Sequence, residues 1–140
     1  MSEIDNLASK MRGVIRQLSR RAHTMGNEYG PSRTEQAVLA WLDEKEEMTP
    51  SALATAEKVR PQSMGQTLDS LDRKHWIKRR PHEKDRRQVL ISLSSAGRKV
   101  LQEKRESRQL WLVGKLTKLS EKDRKTLASA MDILDQMVQG

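Results

Sequence analysis

An alternating segment, QVLISL at residues 88–93, restricts the fold of this chain more than any other feature. Every second position of the segment from Val89 to Leu93 is apolar. This two-residue period predicts a β-strand with one buried face. A strongly basic turn, HEKDRR at residues 82–87, comes directly before it, and WIKRR at residues 76–80 precedes the turn. The two segments that flank the turn therefore predict an antiparallel ribbon with a charged tip. The buried face is assigned to Val89, Ile91 and Leu93, which alternate with Gln88, Leu90 and Ser92.

Helical periodicity dominates both ends of the sequence. Residues 4–25 carry apolar side chains at steps of three, four and seven, which predicts a helix with one narrow apolar stripe that ends at Gly26–Pro31. A long helix is predicted from Ser95 onward, and Ser120–Asp123 is a capping sequence for a last helix. The stripe residues of the three helices are Ile4, Leu7, Met11, Val14, Leu18 and Met25; Val100, Leu101, Leu110, Trp111, Val113 and Leu116; and Leu127, Met131, Leu134 and Val138.

Capping signals predict three further helices between these ends. Ser32–Glu35 has the pattern of a capping box, Thr49–Pro50 that of an N-cap followed by proline, and Pro61 begins a third helix. Gly65 inside this third helix costs about 1 kcal/mol relative to alanine, which indicates a close backbone approach or a tolerated site. The inward-facing residues are predicted to be Val38, Leu39 and Leu42, then Leu53 and Ala54, then Met64, Leu68 and Leu71.

The order of these elements predicts a mainly α fold with a small antiparallel β-ribbon. We expect one domain over residues 1–140, with a winged helix-turn-helix at residues 32–94 and dimerisation helices at residues 1–31 and 95–140. The first and last helices are too narrowly striped to be stable alone. We therefore expect them to pack against each other across a homodimer.

Composition and spacing disfavour several classes of function. The chain has no cysteine, which removes thiol catalysis, and its three histidines, His23, His75 and His82, show no metal-ligand spacing. No run approaches the ~18 apolar residues of a membrane span. No nucleophile–base pair, paired carboxylates or phosphate-binding glycine loop is visible. We therefore expect a cytoplasmic protein that is not an enzyme, without metal, cofactor or membrane.

Charge favours a polyanionic partner. The net charge is +8, and residues 60–87 hold nine Lys or Arg against four acids, an excess of five positive charges. The helix after Pro61 presents polar side chains opposite its apolar side, and these can bond base edges or phosphates. A solvated helix face explains them equally well, but the basic ribbon tip beside the helix favours DNA. The polar face consists of Gln62, Ser63, Gln66, Ser70 and Arg73.

Two stretches carry a family resemblance: SMGQTLDSLDRKHWIKR at residues 63–79 and DRRQVLISLSSAG at residues 85–97. They resemble the recognition helix and wing of the multiple-antibiotic-resistance regulator (MarR) family of bacterial transcription factors, in particular its SlyA-like members. Three positions depart from the family pattern: His75 replaces a glycine, which implies left-handed geometry for a non-glycine residue, Gly65 replaces a larger residue, and Ser94 replaces threonine.

The resemblance implies a homodimer on double-stranded DNA, with recognition helices in successive major grooves and a wing arginine in the minor groove. Gln62, Ser63 and Gln66 are then base readers, Arg87 enters the minor groove, and Asp85 positions it. Together with the basic and polar residues around them, the predicted DNA contacts are Arg60, Gln62, Ser63, Gln66, Ser70, Arg73, Arg79, Lys84, Asp85, Arg86 and Arg87.

Many members of the family release DNA when a small aromatic molecule binds near the junction of the two regions. Arg16, His23, Trp41 and Trp111 can line a cavity for a small aromatic or anionic effector. Each of the four is explained as well by ordinary packing or surface exposure.

The sequence thus predicts a regulator of transcription, a repressor in preference to an activator, at a pseudo-palindromic operator. Two alternatives stay open at this point. A sequence-tolerant architectural DNA-binding protein would have the same charge, and a winged-helix module could bind an acidic protein partner.

Overall fold

The computed structural model describes residues 2–24 and 30–140. Within these ranges, six helices and two strands follow one another in the predicted order, and the mainly α fold with one ribbon is confirmed. Met25 and the start of the predicted break at Gly26 lie outside the described residues. The elements are α1 Glu3–Thr24, α2 Arg33–Lys45, α3 Pro50–Glu57, α4 Pro61–Arg73, β1 Ile77–Pro81, β2 Val89–Leu93, α5 Ser95–Thr117 and α6 Glu121–Gln139.

The ribbon has the predicted antiparallel arrangement. β1 and β2 pair from Ile77 opposite Leu93 to Pro81 opposite Val89. Ile91 and Leu93 are buried at 0% and 5% exposure, as predicted, but Val89, which was assigned to the same face, is only half-buried. Met48 adds a short bridge on the other edge of β2, because its N–H and C=O bond the backbone of Ile91 at 3.0 and 2.8 Å. The loop before α3 is thereby tied to the ribbon.

The core lies between α2, α3, α4 and the buried face of the ribbon. Each predicted inward face of the three middle helices is buried, and Leu101 of α5 joins them. The burial of one apolar side per helix is what the 3.6-residue period requires. The core residues are Val38, Leu39, Leu42, Leu53, Ala54, Met64, Leu68, Leu71, Ile77, Ile91, Leu93 and Leu101.

The predicted capping residues begin their helices. Ser32 accepts a hydrogen bond from the N–H of Glu35, whose side chain accepts one from the N–H of Ser32, so the capping box is complete. Thr49, Ser94 and Ser120 each accept from the N–H three residues later. These contacts satisfy backbone donors that a helix start leaves free.

The end of α4 is joined closely to the start of α5. His75 has φ 62°, as expected for the residue that replaces glycine there. Its C=O accepts a hydrogen bond from Ser94 Oγ at 2.6 Å, and the C=O of Trp76 accepts from the N–H of Ser94 at 3.0 Å. Gly97 lies against this junction, since a Cβ there would be 1.9 Å from the oxygen of Trp76. Only glycine fits at this point.

The terminal helices leave much apolar surface uncovered. None of the residues of α6 is buried in the single chain, and the large apolar side chains of α1 and the second half of α5 are also exposed. No helix within residues 2–24 or 30–140 has the length and hydropathy that crossing a membrane requires. The exposed residues include Ile4, Leu7, Ile15, Leu110, Val113, Met131, Ile133, Met137 and Val138.

Gly97→Ala should lower the free energy of unfolding by roughly 1–3 kcal/mol, because the new methyl group would overlap the carbonyl of Trp76. Gly65→Ala is the matched control, since no described atom lies within 4 Å of its Cβ position. Helix propensity alone should then raise stability by about 0.5–1 kcal/mol. Urea unfolding measures both, and equal effects of the two changes would contradict the close approach at Gly97.

Candidate nucleic-acid interface

The exposed side of α4 carries most of the polar side chains that were predicted to read bases. The three core residues of this helix face inward, so Gln62, Ser63, Gln66 and Arg73 face solvent. Arg60 is the N-cap residue, and its side chain makes no capping hydrogen bond. Four neutral or basic polar side chains are therefore available to a ligand along one side of α4.

Ser70 departs from the sequence prediction, which placed it on this exposed side. It is half-buried, and its hydroxyl donates a hydrogen bond to Glu35 Oε2 at 3.0 Å. Ser70 precedes the buried Leu71, and a step of about 100° per residue puts it at the edge of the buried stripe. Its hydroxyl proton is directed toward α2 and away from the exposed side.

At the ribbon tip, the exposed side chain of Arg87 is bonded to the carboxylate of Asp85. Arg87 Nε and Nη2 donate to the two carboxylate oxygens of Asp85 at 3.1 and 3.3 Å, and the Arg87 N–H donates to Oδ1 at 3.1 Å. The side chain of Arg87 is 91% exposed, against 32% for Asp85. Hydrogen bonds from the Arg87 side chain and backbone lower the pKa of Asp85 below its usual value. The contact is therefore an ion pair at neutral pH.

His82 fixes the backbone of the same turn. Its Nδ1 accepts hydrogen bonds from the N–H groups of Lys84 and Asp85 at 3.1 and 3.2 Å. The backbone N–H of His82 donates to the C=O of Gln88 at 3.1 Å. This histidine is thus a structural part of the tip. Within the described ranges, no group of three or more potential ligands could hold a metal ion.

Every acid of the basic segment 60–87 lies within ion-pair distance of an arginine. The pairs are Asp72–Arg79 at 2.6 Å, Asp69–Arg79 at 3.7 Å, Glu83–Arg80 at 3.6 Å and Asp85–Arg87 at 3.1 Å. Arg79 is therefore held against α4, and Arg80 also contacts Glu47 at 2.7 Å. Among the bases of this segment, those without an ion pair to any described residue are Arg60, Arg73, Lys78, Lys84 and Arg86.

The sequence prediction missed Asp69 as a member of this surface. Its side chain is 69% exposed, one turn after Gln66 on the exposed side of α4. A carboxylate there can accept a hydrogen bond from the exocyclic amine of cytosine. In the sequence, Asp69 was counted only as one of the four acids among the bases of residues 60–87. Its position three residues after Gln66 could have placed it on the exposed side of the helix.

A basic cavity of about 250 Å³ lies where α1, α2 and α5 meet. Gln36 spans it: with its amide oriented by its partners, the nitrogen donates to His23 Nδ1 at 2.8 Å and the oxygen accepts from Arg108 at 2.6 and 2.9 Å. Burial lowers the pKa of both His23 and Arg108 below their usual values. The lining consists of Ser19, His23, Arg33, Gln36, Ala37, Ala40, Leu101, Arg105 and Arg108.

The four predicted effector residues do not converge on this cavity. His23 lines it, but Trp111 lines a separate groove of about 270 Å³ between α1 and α5. The indole N–H of Trp41 donates to Glu57 at 2.6 Å, and Arg16 is exposed and lines neither space. Arg108 and Gln36 were missed, because nothing in their local sequence distinguishes them from other polar residues of a helix.

Comparisons with known proteins agree with this geometry. The sequence profile of the MarR family matches residues 32–89. A helix-turn-helix-type transcriptional regulator of Mycobacterium tuberculosis (strain CDC 1551 / Oshkosh) is 36% identical over 132 residues, 94% of this chain and 92% of that protein. The chain belongs to the MarR family. It is thus a DNA-binding transcriptional regulator of the helix-turn-helix type, as the resemblance implied, while the SlyA-like subtype stays a prediction.

Solved structures of other proteins share the fold of this MarR-family chain. A candidate transcriptional regulator from Pseudomonas aeruginosa PA01 superposes with a TM-score of 0.84 at 32% identity, covering 100% of this chain and 99% of that one. A single-residue mutant of MepR from S. aureus, solved bound to an oligodeoxyribonucleotide, gives a TM-score of 0.72 at 18% identity, covering 94% and 97% of the two chains.

Asp85→Asn should weaken binding of this MarR-family protein to its preferred duplex by up to about fivefold, because Arg87 loses its ion pair and its fixed direction. Glu83→Gln is the control. Glu83 lies in the same turn, but it is 81% exposed and its contact with Arg80 is long, at 3.6 Å. Both changes remove one negative charge, so general electrostatics alone should tighten binding in both. Fluorescence anisotropy measures the two affinities, and tighter binding by Asp85→Asn would contradict the orienting role.

Proposed function

We propose that this regulator is a cytoplasmic homodimeric repressor that binds a pseudo-palindromic operator. In this proposal the exposed side of α4 enters the major groove and the ribbon tip enters the adjacent minor groove. Each subunit reads one half-site, and two-fold symmetry separates the half-sites by about one helical turn, ~10 bp. Occupancy of the operator then blocks transcription of the adjacent gene.

The observation that carries the proposal is the preorganised arginine at the ribbon tip. The side chain of Arg87 is 91% exposed at the tip, while its guanidinium donates two hydrogen bonds to the carboxylate of Asp85. A narrow minor groove has a strongly negative potential that favours an inserted arginine. Because the guanidinium is already held, less side-chain freedom is lost when DNA binds.

The uncovered apolar surface of the terminal helices supports the homodimer. α6 has no buried residue in the single chain, and a helix without tertiary packing is marginal in water. α1 and α5 offer exposed apolar side chains as well, including Ile4, Leu110 and Val113. A second copy covers all three helices at once through an isologous interface, and this places two recognition helices in one particle.

The basic cavity supports control by a small anion. Its positively charged side chains are Arg33, Arg105 and Arg108, and Arg105 is offset by Asp43 at 3.0 Å. A volume of about 250 Å³ suits a ligand the size of a small aromatic carboxylate. Such a ligand would compete with Gln36 for Arg108, at the junction of the dimerisation helices and the DNA-binding region.

A sequence-tolerant architectural role is the second candidate. The net charge of +8 and the five bases without ion pairs to described residues support affinity for any duplex. Genome-wide mapping of bound DNA separates the two candidates. A few sites upstream of genes, with increased transcription of those genes when the protein is deleted, support the repressor. Uniform occupancy supports the architectural protein, and decreased transcription on deletion supports an activator.

Arg87→Ala should weaken binding to the preferred duplex by about tenfold or more, because the groove loses its arginine. Arg86→Ala is the matched control, since the same charge is removed at the neighbouring position of the tip. It should weaken all duplexes equally and by less. Gel shift measures affinity, and sedimentation should show an unchanged dimer for both variants. Equal losses for both would contradict the assignment of Arg87.

Gln66→Ala should change sequence preference, because an amide on the exposed side of α4 can bond adenine in the major groove. Lys84→Ala should instead weaken binding uniformly and reduce the dependence of log affinity on log salt concentration by about one unit. Selection from a random duplex pool compares the preferences of the two variants with that of the unaltered protein. An unchanged preference for Gln66→Ala would exclude Gln66 as a base reader.

A further inference from the structure

Glu35 is a buried carboxylate that joins the start of α2 to the end of α4. Only 5% of its surface is exposed. Oε1 accepts a hydrogen bond from the N–H of Ser32, and Oε2 accepts one from the hydroxyl of Ser70, each at 3.0 Å. Lys74 Nζ donates to both oxygens at 2.9 Å. We name these four residues the α2–α4 clamp.

The clamp is an ion pair at neutral pH. Burial opposes ionisation of Glu35, but the hydrogen bonds from Ser32, Lys74 and Ser70 outweigh it and leave the pKa of the carboxyl below its usual value. A carboxylate removed from water is stable only where such partners replace the water. The hydrogen bonds that stabilise the buried carboxylate of Glu35 therefore fix the position of Ser70 and Lys74 relative to α2.

The geometry of α4 makes this contact relevant to recognition. The helix has 13 residues, about 20 Å at 1.5 Å per residue, and the clamp holds its C-terminal end. Gln62 lies at the other end, and Gln66 lies near the middle of the helix. A tilt of about 5° at Ser70 would move Gln62 by about 1 Å and Gln66 by about 0.5 Å, enough to weaken hydrogen bonds to base edges.

We propose that Glu35 is a positioning residue for sequence recognition, which sets the angle at which α4 presents its exposed side chains to the bases. The inference rests on the proposed function, because it requires that α4 reads sequence. Glu35 itself is buried against α4 and contacts no base. Its effect should appear in the discrimination between sequences and leave the general affinity for DNA intact.

Charge and positioning predict opposite results for Glu35→Gln. The change removes a negative charge, so electrostatics alone should tighten binding to every duplex. Loss of the clamp should instead weaken binding to the preferred duplex only. The ratio of the two affinities is the readout, because a partly unfolded sample lowers both affinities equally and leaves their ratio unchanged.

The experiment uses the full-length protein and two duplexes of equal length: the tightest binder that the unaltered protein selects from a random pool, and a scrambled version of it. For Glu35→Gln, the affinity ratio should fall about tenfold. Glu44→Gln is the matched control, with the same charge change on α2 at an exposed side chain that lies 4.0 Å from Lys45. Its ratio should stay within about twofold of the unaltered protein.

Two further variants test the contact itself. Lys74→Met removes the partner of Glu35 at the end of α4. Loss of a phosphate contact of Lys74 would lower the affinity for both duplexes equally, so the ratio of the two affinities would not change. Combined with Glu35→Gln it should cause no additional loss.

Ser70→Ala changes no charge. It tests the same contact if Glu35→Gln does not fold. It should lower the ratio about threefold in the unaltered background and have no effect beside Glu35→Gln.

Two outcomes overturn the inference in distinguishable ways. If Glu35→Gln and Glu44→Gln give the same ratio, Glu35 does not position α4, while the proposed function stands. If the unaltered protein itself binds both duplexes equally, sequence-specific recognition is wrong, and the positioning role is wrong with it.

Discussion

The junction at Trp76 is the constraint on which the arrangement of this molecule depends. The C=O of Trp76 accepts the N–H of Ser94 at 3.0 Å and lies where only a glycine, Gly97, fits. The adjacent C=O of His75 accepts the Ser94 hydroxyl at 2.6 Å. Within a few ångströms, the end of α4, both strands of the ribbon and the start of α5 are therefore fixed to one another. The position of α4 and of the ribbon is therefore tied to that of α5.

Three acids in contact with the basic segment each hold a base in a fixed position. Asp85 aims Arg87 outward, Asp72 holds Arg79 against α4, and Glu35 anchors Lys74. Glu35 and Gln36 are neighbours in the first turn of α2, and they face different parts of the molecule. Glu35 contacts α4, while Gln36 contacts His23 and Arg108 in the cavity. The cavity and α4 are thus linked through two consecutive residues of α2.

Much of the fold could be predicted because its signals are local. The capping box at Ser32, the proline at Pro50 and the alternation up to Leu93 each depend on residues within one turn or strand. The left-handed conformation of His75 was predictable from the family pattern. The sequence also indicated the wing, since Asp85 and Arg87 are two residues apart.

Contacts between distant segments were not predictable in the same way. The bond from Ser70 to Glu35 joins residues 35 positions apart, and it turns the hydroxyl of a predicted DNA contact toward α2. The cavity combines α1, α2 and α5, so periodicity within one helix could not show that His23 and Arg108 meet at Gln36.

Hydroxyl-radical footprinting of the protein on the duplex that it selects tests the central claim, binding of two half-sites with a wing arginine in the minor groove, most directly. Two protected regions about one helical turn apart, each flanked by minor-groove protection that Arg87→Ala removes, are the predicted result. Uniform protection along the duplex, unchanged by Arg87→Ala, would contradict it.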